Sequence, residues 1–198
     1  MPNPPVIQKS DEALLVAAVI RREMGAFRKF IHQYERLVIS IVFKMVNQKE
    51  DSEDICQDVF LKVYEKLPAF RFGSKLSTWI GSIAFNTCVN FIQKRKPFLL
   101  EDLRTPKNDE EDSQSETKIV IKDLSSAPDE QLITKEREAL LLKSIDRLTV
   151  IQKTVLQLFH QNELSLQEIS EITTLPVSTV KSHLFRARKQ LKEKLDKY

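Results

Sequence analysis

The chain has 198 residues, of which 41% are hydrophobic and 30% charged, and its formal net charge at pH 7 is +3. This composition excludes wholesale disorder, and three glycines are too few for a fold of many tight hairpins or a glycine-rich phosphate loop. Residues 109–112 are all acidic, whereas the C-terminal stretch from Lys181 is basic. A basic terminal helix suits a polyanion such as nucleic acid, although a solvated helix face explains the same charges.

The cysteine and histidine pattern predicts no metal site, no disulfide framework and no cofactor. Cys56 and Cys88 are far apart, the three histidines are scattered, and no Cys-x-x-Cys pair occurs. The sequence also shows no signal peptide and no apolar run long enough to span a membrane. We therefore expect a cytoplasmic protein.

A first helical domain is predicted over residues 10–97, after an N-terminal tail of residues 1–9. Within the segment Ser10–Asn47, apolar residues recur at spacings of three and four, which places them on one helix face. These residues are Phe27, Phe30, Ile31, Tyr34, Val38, Ile41, Val42 and Met45.

Two further helices complete this predicted domain. The first is expected to be capped by Asp51 or Ser52 and to end before Pro68, which stops it. Residues 70–76 are predicted to form a loop, and residues 77–95 a third helix.

Helical periodicity is lost over residues 98–128, which are acidic and polar and predict a flexible linker. Helical patterns return over residues 129–198, where a second domain is expected. The predicted fold is therefore all-α, with two small helical domains joined by a flexible acidic linker.

The clearest motif is a helix-turn-helix in the second domain. Ser165 and Glu168 have the spacing of a capping box, which predicts a short helix, and residues 173–176 break it. Pro176 fits near the start of the following helix because it has no amide hydrogen to donate. Polar and basic side chains occur at the start of that helix, away from its apolar face, where they are able to reach bases and phosphates: Ser178, Thr179, Lys181, Ser182 and Arg186. An ordinary helical hairpin with a solvated face is the alternative.

Two pairs of stretches resemble one family. Residues 51–61 (DSEDICQDVFL) and 76–86 (LSTWIGSIAFN) resemble region two of the extracytoplasmic-function sigma factors of the sigma-70 family. Residues 166–172 (LQEISEI) and 179–188 (TVKSHLFRAR) resemble region four of the same proteins. The order and separation of these motifs make the resemblance strong.

The resemblance implies a non-catalytic protein that binds core RNA polymerase and promoter DNA. In this family the helix at residues 51–67 binds the clamp helices of the polymerase beta-prime subunit. Asp54, Gln57 and Asp58 share one face of that helix, so they are the predicted polymerase-binding residues. The second domain would dock on the flap of the beta subunit.

Residues 70–86 resemble the part that captures the single-stranded minus-ten element, which requires aromatic walls, a polar reader and cations for phosphates. Asn86 is the predicted base reader, because its amide both donates and accepts, whereas Trp79 is expected in the core rather than stacked on a base. The full set of predicted minus-ten residues is Phe70, Phe72, Lys75, Asn86, Lys94 and Arg95.

The second domain resembles the reader of the minus-thirty-five duplex, with some departures. Ser170 stands where Ala is usual, Thr174 where Gly or Asn is frequent, and His183 where Arg is usual. We expect the histidine to alter promoter preference or weaken a phosphate contact. The resemblance further implies control by an anti-sigma factor, one linked to a membrane.

Two other classes of function compete with this interpretation. A stand-alone transcriptional regulator would share the helix-turn-helix but need neither a polymerase-binding face nor a single-strand pocket. An enzyme such as a nucleic-acid hydrolase is disfavoured, since the sequence offers no paired carboxylates with metal geometry and no nucleophile with a partner.

Overall fold

A computed structural model describes residues 9–46, 48–95, 141, 143–145 and 147–195. The predicted linker of residues 98–128 and the tail of residues 1–9, except for residue 9, lie outside the described residues. Every regular element in the described part is helical, which agrees with the predicted all-α fold. None of the described helices is both long and apolar enough to cross a membrane.

The predicted helical segment Ser10–Asn47 is two helices, α1 (Lys9–Ile20) and α2 (Ala26–Met45). The chain turns between them, where Arg22 and Gly25 have φ angles of 58° and 77°. Glycine adopts this left-handed conformation without a steric cost, which makes Gly25 a suitable residue to precede α2. The buried residues of α2 follow the predicted period, and they are Ala26, Phe30, Tyr34, Val38, Ile41, Val42 and Met45.

The next helix, α3, spans Lys49–Lys66 and leads through a 3₁₀ turn at Leu67–Ala69 to α4, Leu76–Arg95. The prediction that Asp51 or Ser52 caps α3 is wrong. Ser52 lies inside the helix, and its buried hydroxyl donates to the carbonyl oxygen of Gln48 at 2.9 Å, as a serine within a helical turn does.

The second domain contains α5 (Val150–His160), α6 (Leu166–Thr173) and α7 (Val177–Leu195). Capping boxes begin both α5 and α6. Thr149 and Gln152 form the first, with the Thr149 amide donating to Gln152 Oε1 at 3.0 Å. Ser165 and Glu168 form the second, as predicted. Each box satisfies amides that a helix start leaves without an intrahelical partner.

The helices of the two domains share one large core, and a smaller cluster of Leu148, Ala187 and Leu191 lies within the second domain. α2 and α4 contact each other, α3 packs on both, and α7 packs on α5 and α6. Across the domains, α5 packs on α2 and α6 packs on α4. The shared core therefore combines residues of α2 and α4, such as Phe30 and Ile80, with residues of the second domain, namely Ile151, Val155, Leu158, Ile169, Ile172, Val180 and Leu184.

Three contacts define this interdomain surface. The Ser40 hydroxyl donates to Asn162 Oδ1 at 3.1 Å, and Lys75 Nζ lies 2.7 Å from Glu168 Oε1. Gly81 of α4 faces Ile172 of α6 so closely that a Cβ atom on Gly81 would lie 2.9 Å from the Ile172 Cδ1.

Candidate protein and nucleic-acid interfaces

The outer face of α3 carries an unpaired acidic surface. Asp54, Gln57 and Asp58 are exposed, and none of them makes a hydrogen bond or ion pair with another described residue. Their spacing of three and four places them on one face, which Leu61 extends with a side chain that is 59% exposed. Sequence reasoning missed Leu61, although it lies one turn beyond Gln57 and Asp58.

Nearby cations do not neutralise this surface, because other partners hold them. Lys62 is one turn after Asp58, yet its Nζ donates to Thr87 Oγ1 of α4 at 3.3 Å. Arg95 pairs instead with Asp51, with Nη2 and Oδ1 3.1 Å apart. The surface is consequently available to cations from outside the chain.

The predicted DNA contact at Arg95 is exposed but already pairs with other side chains of the protein. Besides Asp51, its guanidinium donates to Gln48 Oε1 at 2.9 Å and lies 4.7 Å from the centre of the Phe91 ring. Lys94, by contrast, is exposed and makes no ion pair with a described residue. Both predicted phosphate contacts are exposed, but Lys94 is free of such partners among the described residues, whereas Arg95 ties the end of α4 to the start of α3.

Three aromatic rings meet beside the start of α4. The Phe70 ring centre lies 4.8 Å from that of Phe72 and 4.8 Å from that of Trp79. Phe72 is 48% exposed although its φ angle is 55°, a conformation that costs a bulky residue free energy. The loop thus holds an aromatic ring at the surface in a strained backbone, while Trp79 is half-buried behind Phe70.

A polar stripe continues along α4 from this aromatic group. Asn86 and Lys94, two of the predicted minus-ten residues, are exposed, and between them Asn90 is exposed as well. The spacing of four residues places all three on one helix face. Asn90 was missed by sequence reasoning, although its position one turn after Asn86 is a signal that could have found it.

Lys75, another predicted phosphate contact, forms an ion pair with the second domain. Its ammonium contacts the Glu168 carboxylate of the second domain, and this hydrogen bond raises the pKa of Lys75. Burial raises the pKa of Glu168, but hydrogen bonds from Lys75 and Ser165 outweigh burial and lower it. Sequence patterns gave no signal for this pair, because its members are in different domains.

The turn of the helix-turn-helix is built around a strained residue. Thr174 has a φ angle of 58°, which β-branched side chains adopt at a steric cost. The Ser170 hydroxyl donates to the carbonyl oxygen of Leu175 at 2.5 Å. Serine at this position therefore stabilises the turn by a hydrogen bond that alanine could not make.

The start of α7 presents the predicted DNA-reading side chains at the surface. Ser178 and Lys181 are exposed, and Thr179, Ser182 and Arg186 are half-buried. The Ser182 hydroxyl donates to the Ser178 carbonyl oxygen at 3.0 Å. All five remain on the side of α7 that avoids the core.

His183 is not on that side, which corrects the expectation that it replaces a phosphate-binding arginine. It is 5% exposed, and its Nε2 atom has no hydrogen-bond partner among the described residues. Burial first, and the charge of Arg186 second, lower its pKa. His183 is therefore a core residue that is held neutral.

Arg188 joins α7 to α5 through a cation–π contact and a hydrogen bond. The Arg188 guanidinium lies 5.0 Å from the centre of the Phe159 ring, and its Nη2 lies 3.2 Å from His160 Nε2. Burial and the charge of Arg188 lower the pKa of His160. This contact, which sequence reasoning missed, requires His160 to be neutral at Nε2.

No cluster of three or more histidine, cysteine or acidic side chains suited to a metal ion occurs within the part of the chain that the structure describes. Its accessible polar groups instead form the acidic surface on α3, the aromatic and amide surface along α4, and the basic start of α7. The charges, rings and amides of these surfaces are of the kinds that suit a protein partner and nucleic acid.

Two family models match the chain. Residues 30–98 match the model of sigma-70 region 2, and residues 138–191 match the model of sigma-70 region 4. Among curated relatives, the RNA polymerase sigma-H factor of Pseudomonas aeruginosa is 29% identical over 193 residues, covering 96% of both chains. The SigW factor of Bacillus subtilis is 28% identical over 180 residues, covering 91% of this chain and 94% of SigW.

Solved structures share the fold. CnrH, solved with the cytosolic domain of CnrY, superposes with a TM-score of 0.60 at 16% identity, covering 92% of this chain and 96% of CnrH. The sigma factor RpoE of Bartonella quintana, solved with the anti-sigma factor NepR, gives a TM-score of 0.60 at 20% identity, covering 87% of this chain and 98% of RpoE. With both conserved regions matched in order, the chain belongs to the extracytoplasmic-function group of the sigma-70 family of transcription initiation factors.

Proposed function

We propose that the protein binds core RNA polymerase and directs it to promoters, with the acidic surface of α3 as its main polymerase contact. The observation that carries this proposal is that Asp54, Gln57 and Asp58 stay exposed and unpaired. Two carboxylates and an amide on one face suit arginine or lysine side chains of a partner helix. The beta-prime clamp helices are the proposed partner, and the second domain docks on the beta flap.

The α4 surface supports capture of the melted minus-ten element. Phe72 offers an exposed ring for a base to stack on, and Asn86 offers an amide that reads a base edge. Lys94 lies on the same face of α4, two turns beyond Asn86, and its charge suits the phosphate backbone. Asn90 joins this proposed surface because it lies between Asn86 and Lys94.

The start of α7 supports reading of the minus-thirty-five duplex. A helix-turn-helix inserts the N-terminal part of its second helix in the major groove. In this proposal Lys181 and Arg186 contact phosphates or guanines, while Ser178, Thr179 and Ser182 supply smaller polar contacts. The protein thus acts by binding, in the cytoplasm where the polymerase works, and performs no catalytic step.

Control by an anti-sigma factor is also proposed. The solved structures of similar fold hold CnrY in one case and the anti-sigma factor NepR in the other. A partner of that kind would compete with polymerase for the same protein.

Transcription from fragmented genomic DNA by core polymerase, with and without this protein, tests the proposed function. New transcript starts that share upstream motifs at a fixed spacing are expected only when the protein is present. An intact polymerase that gains no starts and does not bind the protein would contradict the proposal and favour a stand-alone regulator.

The polymerase surface is tested by neutralising its two carboxylates. The double variant Asp54→Asn, Asp58→Asn should weaken binding to core polymerase by about 10- to 100-fold, because each asparagine keeps a hydrogen bond but loses the charge, which is worth roughly 1 kcal/mol per contact. Fluorescence anisotropy of the labelled protein measures this affinity.

Glu53→Gln is the control, since Glu53 is exposed on the same helix but its carboxylate already has a partner, with Oε1 lying 3.8 Å from Lys49 Nζ. We expect it to bind polymerase as the unaltered protein does. Equal losses for the control and the double variant would show that net charge, not this surface, governs binding.

A further inference from the structure

We infer that Arg95 is a positioning residue, which fixes the minus-ten face of α4 against α3 through Asp51 and does not itself contact DNA. This role rests on the proposed function, which makes Asn86, Asn90 and Lys94 the minus-ten face of α4. Arg95 then acts on promoter DNA by holding its neighbours in place, and not by binding a phosphate.

Arg95 and Asp51 lie at two helix ends that meet. Asp51 is in the first turn of α3, and Arg95 is the last residue of α4. An acidic side chain is favoured at a helix N-terminus and a basic one at a C-terminus, because each offsets the partial charge of that helix end. The ion pair therefore joins two side chains that already suit their own helices.

Three groups hold the guanidinium of Arg95. Its Nη1 and Nη2 atoms donate to Asp51 Oδ2 and Oδ1 at 2.5 and 3.1 Å, and this bidentate contact fixes an orientation that a single hydrogen bond would not. Nη1 also donates to Gln48 Oε1 at 2.9 Å. The Phe91 ring, one turn back along α4, has its centre 4.7 Å from the guanidinium.

The two partners differ in exposure. The Arg95 side chain is 55% exposed, whereas the Asp51 side chain is 19% exposed. A phosphate that displaced the carboxylate would leave a half-buried anion without its cation, which is unfavourable. The anion that the fold supplies to Arg95 is therefore Asp51.

The ion pair connects the two proposed binding surfaces. Asp51, Asp54 and Asp58 are spaced by three and four residues, so the pair lies at the N-terminal end of the acidic surface of α3. On α4, Arg95 directly follows Lys94, the last residue of the minus-ten face. A polymerase that holds α3 thereby also holds the minus-ten face at a fixed angle to the melted strand.

Binding of single-stranded DNA by the polymerase-bound protein tests this role. The probe is an oligonucleotide with the minus-ten sequence of a promoter mapped by the transcription experiment, and core polymerase is saturating, so that altered affinity for polymerase does not enter. If Arg95 bound a phosphate, Asp51→Asn would release its guanidinium and tighten DNA binding. We expect Asp51→Asn to weaken binding instead, by about two- to fivefold, the range of a partly exposed ion pair.

Two changes at Arg95 separate its charge from its geometry. Arg95→Gln should weaken DNA binding as much as Asp51→Asn does, and the double variant should be no weaker than either, because each change breaks the same contact. Arg95→Lys keeps the charge that a phosphate needs but cannot form the bidentate contact. It should still weaken binding by about twofold or more. Full affinity in Arg95→Lys would contradict the positioning role.

Lys94→Gln is the matched control, because Lys94 is the exposed neighbour with the same charge on the same helix. The slope of log affinity against log salt concentration should fall by about 0.7 in Lys94→Gln, the value for one phosphate of a single strand. The slope should stay unchanged in Arg95→Gln. An equal fall in Arg95→Gln, or tighter binding by Asp51→Asn, would overturn the inference.

Urea unfolding of the isolated protein tests the ion pair without DNA or polymerase. The unaltered protein, Asp51→Asn, Arg95→Gln and the double variant form a double-mutant cycle, in which the two changes should be non-additive. Additive changes would show that the pair does not couple α3 to α4. Non-additive changes with unaltered DNA affinity would make the pair purely structural and overturn the positioning role alone. If the unaltered protein gives polymerase no affinity for the probe, the proposed function itself fails.

Discussion

Phe72 illustrates at the scale of one residue how a binding surface and backbone strain occur together. The positive φ angle of Phe72 destabilises the folded state, and because the side chain is exposed, burial of apolar surface offsets little of that cost. Its ring contacts Phe70, which in turn contacts Trp79. Such a residue is expected where a ring is needed at the surface for a ligand.

Replacing Phe72 with glycine should separate stability from function. Glycine removes the strain but also the ring contact, so the free energy of unfolding should change by less than about 1 kcal/mol. Binding of the polymerase-bound protein to single-stranded minus-ten DNA should weaken by about tenfold or more, because stacking on one base is lost. Urea unfolding and DNA-binding titrations measure the two effects.

Phe43→Ala serves as the control, since Phe43 is 42% exposed on α2, outside the proposed DNA surface. It should leave DNA binding intact. A Phe72→Gly variant that unfolds readily, or that binds DNA normally, would show that the ring has a structural role only.

At the scale of elements, backbone strain destabilises the turn between α6 and α7, and a side-chain hydrogen bond stabilises it. Thr174 has an unfavourable backbone conformation, whereas the Ser170 hydroxyl anchors the Leu175 carbonyl across the turn. The capping box at Ser165 fixes the other end of α6. The short α6 thus depends on side-chain hydrogen bonds at both ends, because eight residues form few intrahelical ones.

Thr174→Asn should stabilise the protein by about 0.5–1 kcal/mol, because asparagine tolerates the left-handed conformation better than a β-branched residue. Thermal unfolding followed by circular dichroism measures the change. Ser170→Ala should have the opposite effect, with a loss of about 1 kcal/mol for the hydrogen bond. A destabilised Thr174→Asn variant would mean that the threonine methyl packs usefully in the turn.

Elements with local signals were predictable from the sequence. The capping box at Ser165 and Glu168 and the one-face spacing of Asp54, Gln57 and Asp58 depend on residues within one or two turns. The break between α1 and α2 was not predicted, because a single glycine at position 25 is a weak signal beside a continuous helical pattern.

Contacts between distant segments could not be predicted from the sequence, for a physical reason. The pairs Lys75–Glu168 and Arg95–Asp51 depend on how helices pack, and no local pattern encodes that packing. The burial of His183 was unpredictable for the same reason. A polar side chain at the edge of the apolar face of a helix is buried or exposed according to which helices pack beside it. The predicted domain boundaries and the roles of the predicted site residues remain predictions.

For the whole molecule, the shared core makes the stability of each domain depend on the other. Residues of α5, α6 and α7 are buried in the same cluster as those of α2 and α4. Trp79, the single tryptophan of the sequence, lies in the first domain. Its fluorescence should therefore report changes that originate in the second domain.

The two histidines of lowered pKa predict how stability depends on pH. Burial lowers the pKa of His183 and of His160 in the folded protein, so below about pH 6.5 the unfolded chain binds protons that the folded chain does not. The free energy of unfolding should thus fall as the pH drops below about 6.5 and should not change through these histidines above it. Urea unfolding followed by Trp79 fluorescence and by circular dichroism between pH 5 and 8 measures this dependence.

The double variant His160→Gln, His183→Gln should show a flatter dependence over the same range. If Trp79 fluorescence does not follow the acid loss seen by circular dichroism, the two domains unfold independently. An equally steep dependence in the variant would assign the acid sensitivity to carboxylates instead.

The shared core also determines how long an unpartnered molecule survives in the cell. Ile172 and the surface around Gly81 are covered only while the domains pack, so a molecule whose domains separated would present that apolar surface to proteases and chaperones. Polymerase or an anti-sigma factor would shield the opened molecule, whereas excess copies that open alone would be degraded first. The abundance of the protein would then follow the supply of its partners rather than its own rate of synthesis.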